Sequence, residues 1–171
     1  YPPSLPAELE DEGVIMDLPA LIADLSGSNR SYAGTAVIID EDHTIAFYNA
    51  TLWMADRFDE VVLITSRERF AASETLVNRQ GIIERLFRPN ITLLPFSELL
   101  LSGDNMEEGR VKYRHLKTDQ VGLIENVAAL SYASHRVPRL DLQAGLEAAG
   151  VQTELIGDAF APRGVLQAMT E

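Results

Sequence analysis

Two short apolar runs constrain this chain most: Thr35-Ala36-Val37-Ile38-Ile39 and Glu60-Val61-Val62-Leu63-Ile64-Thr65. Apolar residues without alternation are the mark of parallel strands covered on both faces. Between the runs lie polar Asp40-Glu41-Asp42-His43-Thr44, a largely apolar helical stretch from Ile45 to Arg57, and Phe58-Asp59 as the turn out. Residues 35–66 therefore read as a βαβ unit of about thirty residues, whose crossover is right-handed in nearly all known cases. The fold class that follows is α/β, with a parallel sheet.

The elements around this unit can be placed by the same reasoning. Pro-rich, acidic residues 1–13 favour an extended lead-in segment. Asp17-Leu18-Pro19 opens a short helix with Leu18, Leu21, Ile22 and Leu25 on one face, and Gly27-Ser28 ends it. From Ser73, an N-cap candidate, to Arg88 before Pro89, the positions of Leu76, Ile82, Ile83, Leu86 and Phe87 predict an amphipathic helix. Ile91 to Phe96, with Pro95 marking an end or an edge, Glu98 to Leu101, Arg110 to His115 and Gln120 to Leu130 predict an antiparallel meander. Leu140 to Gly150 reads as a helix with a C-terminal glycine, Val151 to Ile156 as a strand, Gly157-Asp158 as a turn, and Ala161 to Glu171 as the start of one more helix.

Composition narrows the function classes. The 171 residues suit one domain. The net charge of −12 repels phosphodiester backbones and anionic lipid surfaces, which argues against nucleic acid and membranes as partners. With no cysteine, the chain supplies no disulfide, thiolate nucleophile or cysteine-ligated cluster. No apolar run approaches the roughly 20 residues of a membrane span, and no secretory leader is legible, so a cytoplasmic protein is expected. The opening Tyr1-Pro2-Pro3-Ser4-Leu5-Pro6 reads like the interior of a longer protein, and the last helix like a truncated one.

A family resemblance rests on Ile156-Gly157-Asp158-Ala159-Phe160-Ala161-Pro162-Arg163. The stretch is similar to the Gly-Asp-Ala…Pro-Arg segment of glutathione-reductase-like flavoproteins, where the chain returns from the inserted pyridine-nucleotide domain to the domain before it. Leu130-Ser131-Tyr132-Ala133-Ser134-His135-Arg136-Val137-Pro138 sits where that family has an Ala-Thr-Gly segment followed by Arg and Pro, although the glycine is missing here. Within the superfamily, the order of elements most resembles the C-terminal region of the NADH:flavin oxidoreductase family. Its members include trimethylamine and dimethylamine dehydrogenases and 2,4-dienoyl-CoA reductase, which carry this fold after an FMN-binding TIM barrel. The resemblance implies a Rossmann-like domain of the glutathione-reductase NAD(P) type: residues 1–30 as a crossover segment, 31–156 as the nucleotide-binding-like core, and 157–171 as the start of a return helix. It also implies that FMN, together with an iron–sulfur cluster or ADP or FAD, belongs to the intact protein, with no cofactor in this chain.

The chain departs from the family at the dinucleotide loop. A working fingerprint needs Gly-x-Gly-x-x-Gly after the first strand, for a tight turn, close approach to the pyrophosphate and close helix packing. Here those places fall on Asp40, Asp42 and Ile45. Carboxylates near a helix N-terminus can satisfy its preference for an anion, worth about 0.3–1 kcal/mol, so the phosphate site reads as occupied by the chain itself. The amine dehydrogenases resembled here also lack the intact loop and pass electrons to an electron-transferring flavoprotein, whereas 2,4-dienoyl-CoA reductase keeps the glycines and uses NADPH.

Other candidates have bland readings beside the sharp ones. Ser66-Arg67 resembles the place where NADP-specific relatives hold the 2′-phosphate, but beside a blocked pyrophosphate loop a solvent-exposed arginine is the favoured reading. By resemblance, Gly157 and Asp158 would contact a nucleotide of the preceding domain. Asp40, Glu41, Asp42 and His43 could suggest a hard-cation site, but an acidic loop capping a helix is the commoner arrangement. His43, His115 and His135 lack a nucleophile motif and read as surface or turn histidines, and Trp53 and Met54 as core. The expectation is therefore a non-catalytic, degenerate NAD(P)-like domain serving as scaffold or docking surface in electron transfer, with the parent enzyme's other domains and an electron-transferring flavoprotein as partners. Two alternatives stand beside it: a functional NAD(P)H-binding domain feeding electrons to flavin, and a Rossmann-like interaction module without redox chemistry.

Overall fold

A computed structural model describes residues 9, 11, 13–27, 30–101, 106–107, 109–134 and 140–160. The chain divides into two compact units, Tyr1–Ser134 and His135–Glu171.

The first unit contains strand β1 (Met16–Asp17), helix α1 (Leu18–Ser26), β2 (Tyr32–Asp40), α2 (Ile45–Ala55), β3 (Phe58–Ile64), α3 (Leu76–Leu86) and β4 (Ile91–Leu94), then β5 (Ser97–Leu100), β6 (Met106–Glu107), β7 (Arg110–His115), β8 (Val121–Glu125) and β9 (Val127–Ala133). Five of these strands form a parallel sheet in the order β1-β9-β2-β3-β4. β5, β7, β6 and β8 form a separate antiparallel sheet built around β7. The α/β, Rossmann-like architecture with a parallel sheet and an antiparallel sheet thus holds.

Strand periodicity explains the layering. Along β2 and β3, Ala36, Ile38, Val61 and Leu63 share one core with Leu21 and Leu25 of α1, Phe47 and Met54 of α2, and Ile82 and Leu86 of α3. The alternate residues Val37 and Val62 join Val111, Ile124 and Leu130 in a second core. Successive strand side chains face opposite ways, so one sheet face takes the helices and the other the antiparallel strands. Each fully buried aliphatic side chain contributes about 1.5–3 kcal/mol.

Local chemistry sets the helix ends. The Asp17 carboxylate accepts from Ala20 N at 2.6 Å and Pro19 occupies the first turn of α1, while Gly27 closes that helix. α3 begins after Thr75, without a side-chain cap, so Ser73 is not its N-cap.

Several expected boundaries move. Phe58 and Asp59 open β3 instead of forming a turn: Phe58 is buried, its ring stacks on Tyr32 at 5.1 Å, and Asp59 accepts from Gly34 N at 2.8 Å. The turn falls on Asp56 and Arg57. Both ends of the expected meander belong to the parallel sheet, since β4 pairs with β3 and β9 with β2. Asn126, with φ of 54°, ends β8 and lets the chain change sheets. Leu9 and Asp11 are helical, not extended.

In the second unit, α4 spans Asp141–Ala148 and Gly150, at φ 76°, closes it with Val151 N donating to Leu146 O at 3.0 Å. The expected strand over Val151–Ile156 is not a ladder strand; those residues run without regular structure into a 3₁₀ turn at Gly157–Ala159. The helix expected from Ala161 to Glu171 lies outside the described residues.

Candidate functional site

In a doubly wound sheet, ligands sit beyond the carboxyl ends of the strands where the strand order reverses. That point lies here between β2 and β9: the chain runs outward from β2 through β3 to β4, then returns to the other side of β2. Asp40, the last residue of β2, pairs with Ala133 of β9, and Glu41 N donates to Ala133 O at 2.9 Å.

The Asp40 carboxylate is fully buried and turns back into its own loop. Its Oδ1 accepts from His43 N, three residues on, at 2.9 Å, and its Oδ2 accepts the hydroxyl of Tyr48. The Tyr48 oxygen in turn accepts from Ala71 N, in the loop after β3. Burial, and after it the Asp40 charge, push the Tyr48 hydroxyl far above the usual tyrosine range, so it stays protonated and donating.

His43 has a left-handed backbone, φ 57°, and is completely buried, which corrects the surface expectation: it is a turn residue whose ring packs inside. Its Nδ1 lies 3.2 Å from Asp40 Oδ2 without the alignment of a hydrogen bond, and its Nε2 has no partner among the described residues. His115, half-buried at the end of β7, meets Thr118 Oγ1 at 3.0 Å, and His135 lies outside the described residues.

Thr44 is the N-cap of α2, its Oγ1 accepting from Phe47 N at 3.5 Å and donating to Asp42. The free N–H of Ile45 donates to Glu74 Oε1 at 2.7 Å, while Glu74 Oε2 holds Asn78 Nδ2 at 3.1 Å. The carboxylate at the helix N-terminus therefore comes from Glu74, thirty positions downstream of Thr44, and not from the acidic run. Ile45 itself remains 43% exposed.

The loop Asp40–Ile45 and the first turn of α2 are tied to the loop after β3 at three places. Tyr48 meets Ala71, Ile45 meets Glu74, and Ser66 Oγ lies 3.4 Å from Glu41 Oε1. Ser66 and Arg67 are exposed at the end of β3, where sequence reasoning places them. Gly157, at φ 58°, and Asp158 form the 3₁₀ turn of the second unit. Met54 is buried core, and Trp53 carries Arg57 over its ring at 3.6 Å. Among the described residues, no group of three or more His, Cys, Asp or Glu could hold a metal ion, and no helix is long and apolar enough to cross a membrane.

Sequence reasoning missed Tyr48 and Glu74. A hydroxyl in the first turn of an otherwise apolar helix, following an acid at the end of a buried strand, was the available signal for Tyr48. Glu74 gave none, because its partnership depends on how two loops meet.

No protein-family model and no curated protein matches the chain. Solved structures do. The chain superposes on 6-hydroxypseudooxynicotine amine oxidase from Pseudomonas geniculata with a TM-score of 0.71 and 14% identity, over 90% of this chain and 23% of that one. For histamine dehydrogenase from a Rhizobium species the values are 0.67 and 20%, over 90% and 24%. For thioredoxin reductase from Lactococcus lactis they are 0.66 and 18%, over 99% and 58%. The chain thus spans about a quarter of the first two proteins and somewhat over half of the third, and it shares with all three a Rossmann-like fold.

Proposed function

We propose that residues 1–171 form the degenerate dinucleotide-domain portion of a larger flavin-dependent oxidoreductase, in which they act as scaffold or docking surface and hold no NAD(P)H. The observation that carries the reading is Asp40. At the place of the fingerprint's first glycine stands a buried carboxylate, bonded to His43 N and Tyr48. Glu74 takes the Ile45 N–H that would otherwise face a phosphate. A pyrophosphate there would meet the charges of Asp40, Asp42 and Glu74 instead of free backbone donors, so the residues present do not fit the dinucleotide.

The fold shared with an amine oxidase, an amine dehydrogenase and a thioredoxin reductase supports the oxidoreductase assignment, as does the Gly157-Asp158 segment. By resemblance, the parent is of the NADH:flavin oxidoreductase or amine-dehydrogenase kind, with FMN on another domain and an electron-transferring flavoprotein as electron acceptor. Ser66 and Arg67, exposed at the tip of β3, favour the second reading, a working NAD(P)H domain with an unusual loop. Calorimetric titration of the chain with NADH and NADPH separates the two. The scaffold reading expects no heat of binding at millimolar cofactor, and micromolar affinity for either cofactor would establish the second.

A further inference from the structure

Two non-glycine residues at the switch point, His43 at φ 57° and Ala71 at φ 54°, have left-handed backbones and are completely buried. That conformation is unfavourable for an L-residue and persists only where the surroundings over-determine it. Here one side-chain pair does so. Asp40 accepts the N–H of His43, Tyr48 accepts the N–H of Ala71, and the Tyr48 hydroxyl donates to Asp40. Both strained amides thus end on one buried hydrogen bond.

The segment that carries Ala71 is otherwise lightly held. Its start is fixed, because Arg67 O accepts from Phe96 N at 2.9 Å and Thr65 O from Ser97 N at 2.8 Å. Beyond that point, among the described residues, the backbone-to-backbone hydrogen bond of residues 68–74 is an internal one, Glu74 N to Ala71 O at 3.1 Å. The rest of the fold holds these residues through the buried Phe70 ring, the Ala71 N–H on Tyr48 and the Glu74 carboxylate. Segments with few backbone bonds open locally before the fold as a whole does.

Glu74 is the second fastening. Its Oε1 takes the Ile45 N–H at the start of α2 at 2.7 Å, and its Oε2 the Asn78 side chain in the first turn of α3 at 3.1 Å. Thr75 makes no side-chain bond as the N-cap of α3, so one carboxylate joins the starts of both helices. The N–H of Glu74 is bound to the Ala71 carbonyl, and Glu74 therefore keeps its place only while Ala71 keeps its turn.

We propose that residues 71–74 are a sprung strap over the start of α2, with the Asp40–Tyr48 pair as its latch and Glu74 as its catch. The strap opens as one piece, by a local transition in which Ala71 relaxes and the Ile45 N–H is released. Closed, it is an autoinhibitory contact, because Glu74 takes a donor that faces the switch point. The proposal rests on the closed-loop part of the reading above, and the two fail separately, because amide exchange is measured without any cofactor.

The test is amide hydrogen exchange of the isotope-labelled chain, followed by NMR at neutral pH. In the wild type, the Ile45, Ala71 and Glu74 amides should exchange through one shared opening, populated at least about tenfold more than that of the β2 and β3 amides. Tyr48→Phe removes no bond of the Ile45 N–H, yet Ile45 exchange should rise at least about tenfold beyond any change in β2 and β3. Glu74→Ala removes no bond of the Ala71 N–H, yet Ala71 exchange should rise by about fivefold or more, and Glu74→Gln, which keeps an oxygen for Ile45, should restore most of the protection at both. An Ala71 amide unmoved by Glu74→Ala, or an Ile45 amide unmoved by Tyr48→Phe, would overturn the proposal, since the two fastenings would then be independent. Exchange of all three wild-type amides at the rate of β2 and β3 would overturn it as well, because the segment would open only with the whole fold. Circular dichroism checks folding, and the two variants at half-buried Glu74 decide the matter even where Tyr48→Phe unfolds.

Discussion

Asp40 and Tyr48, eight residues apart, are joined by a hydrogen bond that no solvent reaches, at the seam between β2 and the first turn of α2. The carboxylate ends the strand after which a dinucleotide fingerprint would set its glycines, and the phenol occupies the helix face behind it. One side-chain pair thus takes over the closing of a turn that related folds leave to bare backbone.

Removing the phenol oxygen should therefore be costly. Tyr48→Phe takes the hydroxyl donor from Asp40 Oδ2 and leaves Ala71 N–H without its acceptor. An orphaned buried group costs about 1–3 kcal/mol, so a loss of about 2–3 kcal/mol is expected in urea denaturation. A loss under about 0.5 kcal/mol would show that water replaces the hydroxyl and that the site is open.

The same pair predicts an alkaline limit. Burial, then the Asp40 charge, raises the Tyr48 hydroxyl well above its ordinary value of 10.0 in the folded state. In the unfolded chain it ionises near 10. Below that pH both states keep the proton and the stability is fully present. Above it only the unfolded state releases the proton, so stability falls by about 1.4 kcal/mol per pH unit. Denaturation between about pH 9 and 11 should show a loss of about 1.4 kcal/mol in the wild type beyond that of Tyr48→Phe, the slope reaching its full value towards pH 11. Parallel profiles would refute the buried, protonated assignment.

Much of the fold was legible because burial leaves a pattern in sequence. Val37-Ile38-Ile39 and Val61-Val62-Leu63-Ile64 have no polar alternation, and together with the helical stretch between them this points to the parallel pairing of β2 with β3. What periodicity could not supply was partner choice. Ile91–Leu94 and Val127–Ala133 look like any other strands, and only the three-dimensional path shows that they leave the antiparallel sheet for the parallel one. At the site, the departure at Asp40, Asp42 and Ile45 was visible from residue identity, whereas Glu74 reaches Ile45 from another loop and could be found only by its coordinates.

Two glycines should respond oppositely to alanine. Gly34 has φ of 101°, and a Cβ there would lie 2.5 Å from the Asn126 carbonyl oxygen, so backbone must move. Strain of that kind costs about 1–3 kcal/mol before the clash is counted. Gly81 lies within α3 with nothing within 4 Å of its would-be Cβ. Gly81→Ala should stabilise by about 0.5–1 kcal/mol through helix propensity, and Gly34→Ala should destabilise by more than about 2 kcal/mol. Thermal melts of the two variants check the signs.

The loop's closure to phosphate can be undone in steps. Each carboxylate facing a pyrophosphate opposes it by about 1 kcal/mol per charge pair, even at an effective dielectric near 20 and separations beyond about 10 Å. Changing Asp40, Asp42 and Ile45 together to Gly removes two of these charges and restores the backbone's close approach. Adding Glu74→Ala frees the Ile45-position N–H, whose present partner is 2.7 Å away. NADH affinity should thus rise measurably with the three glycines and by about a further fivefold or more with Glu74→Ala, since 1 kcal/mol is about that factor. Loss of the Asp40–Tyr48 bond endangers the fold, so Asp42→Gly with Glu74→Ala is the companion variant: it keeps that bond and should bind more weakly than the four-site variant but better than the wild type. Calorimetry at low salt resolves the order. If the companion and the wild type bind alike while both remain folded, the Asp42 and Glu74 carboxylates are not what excludes the cofactor, and the barrier lies in Asp40 or in the path of the backbone from Asp40 to Ile45.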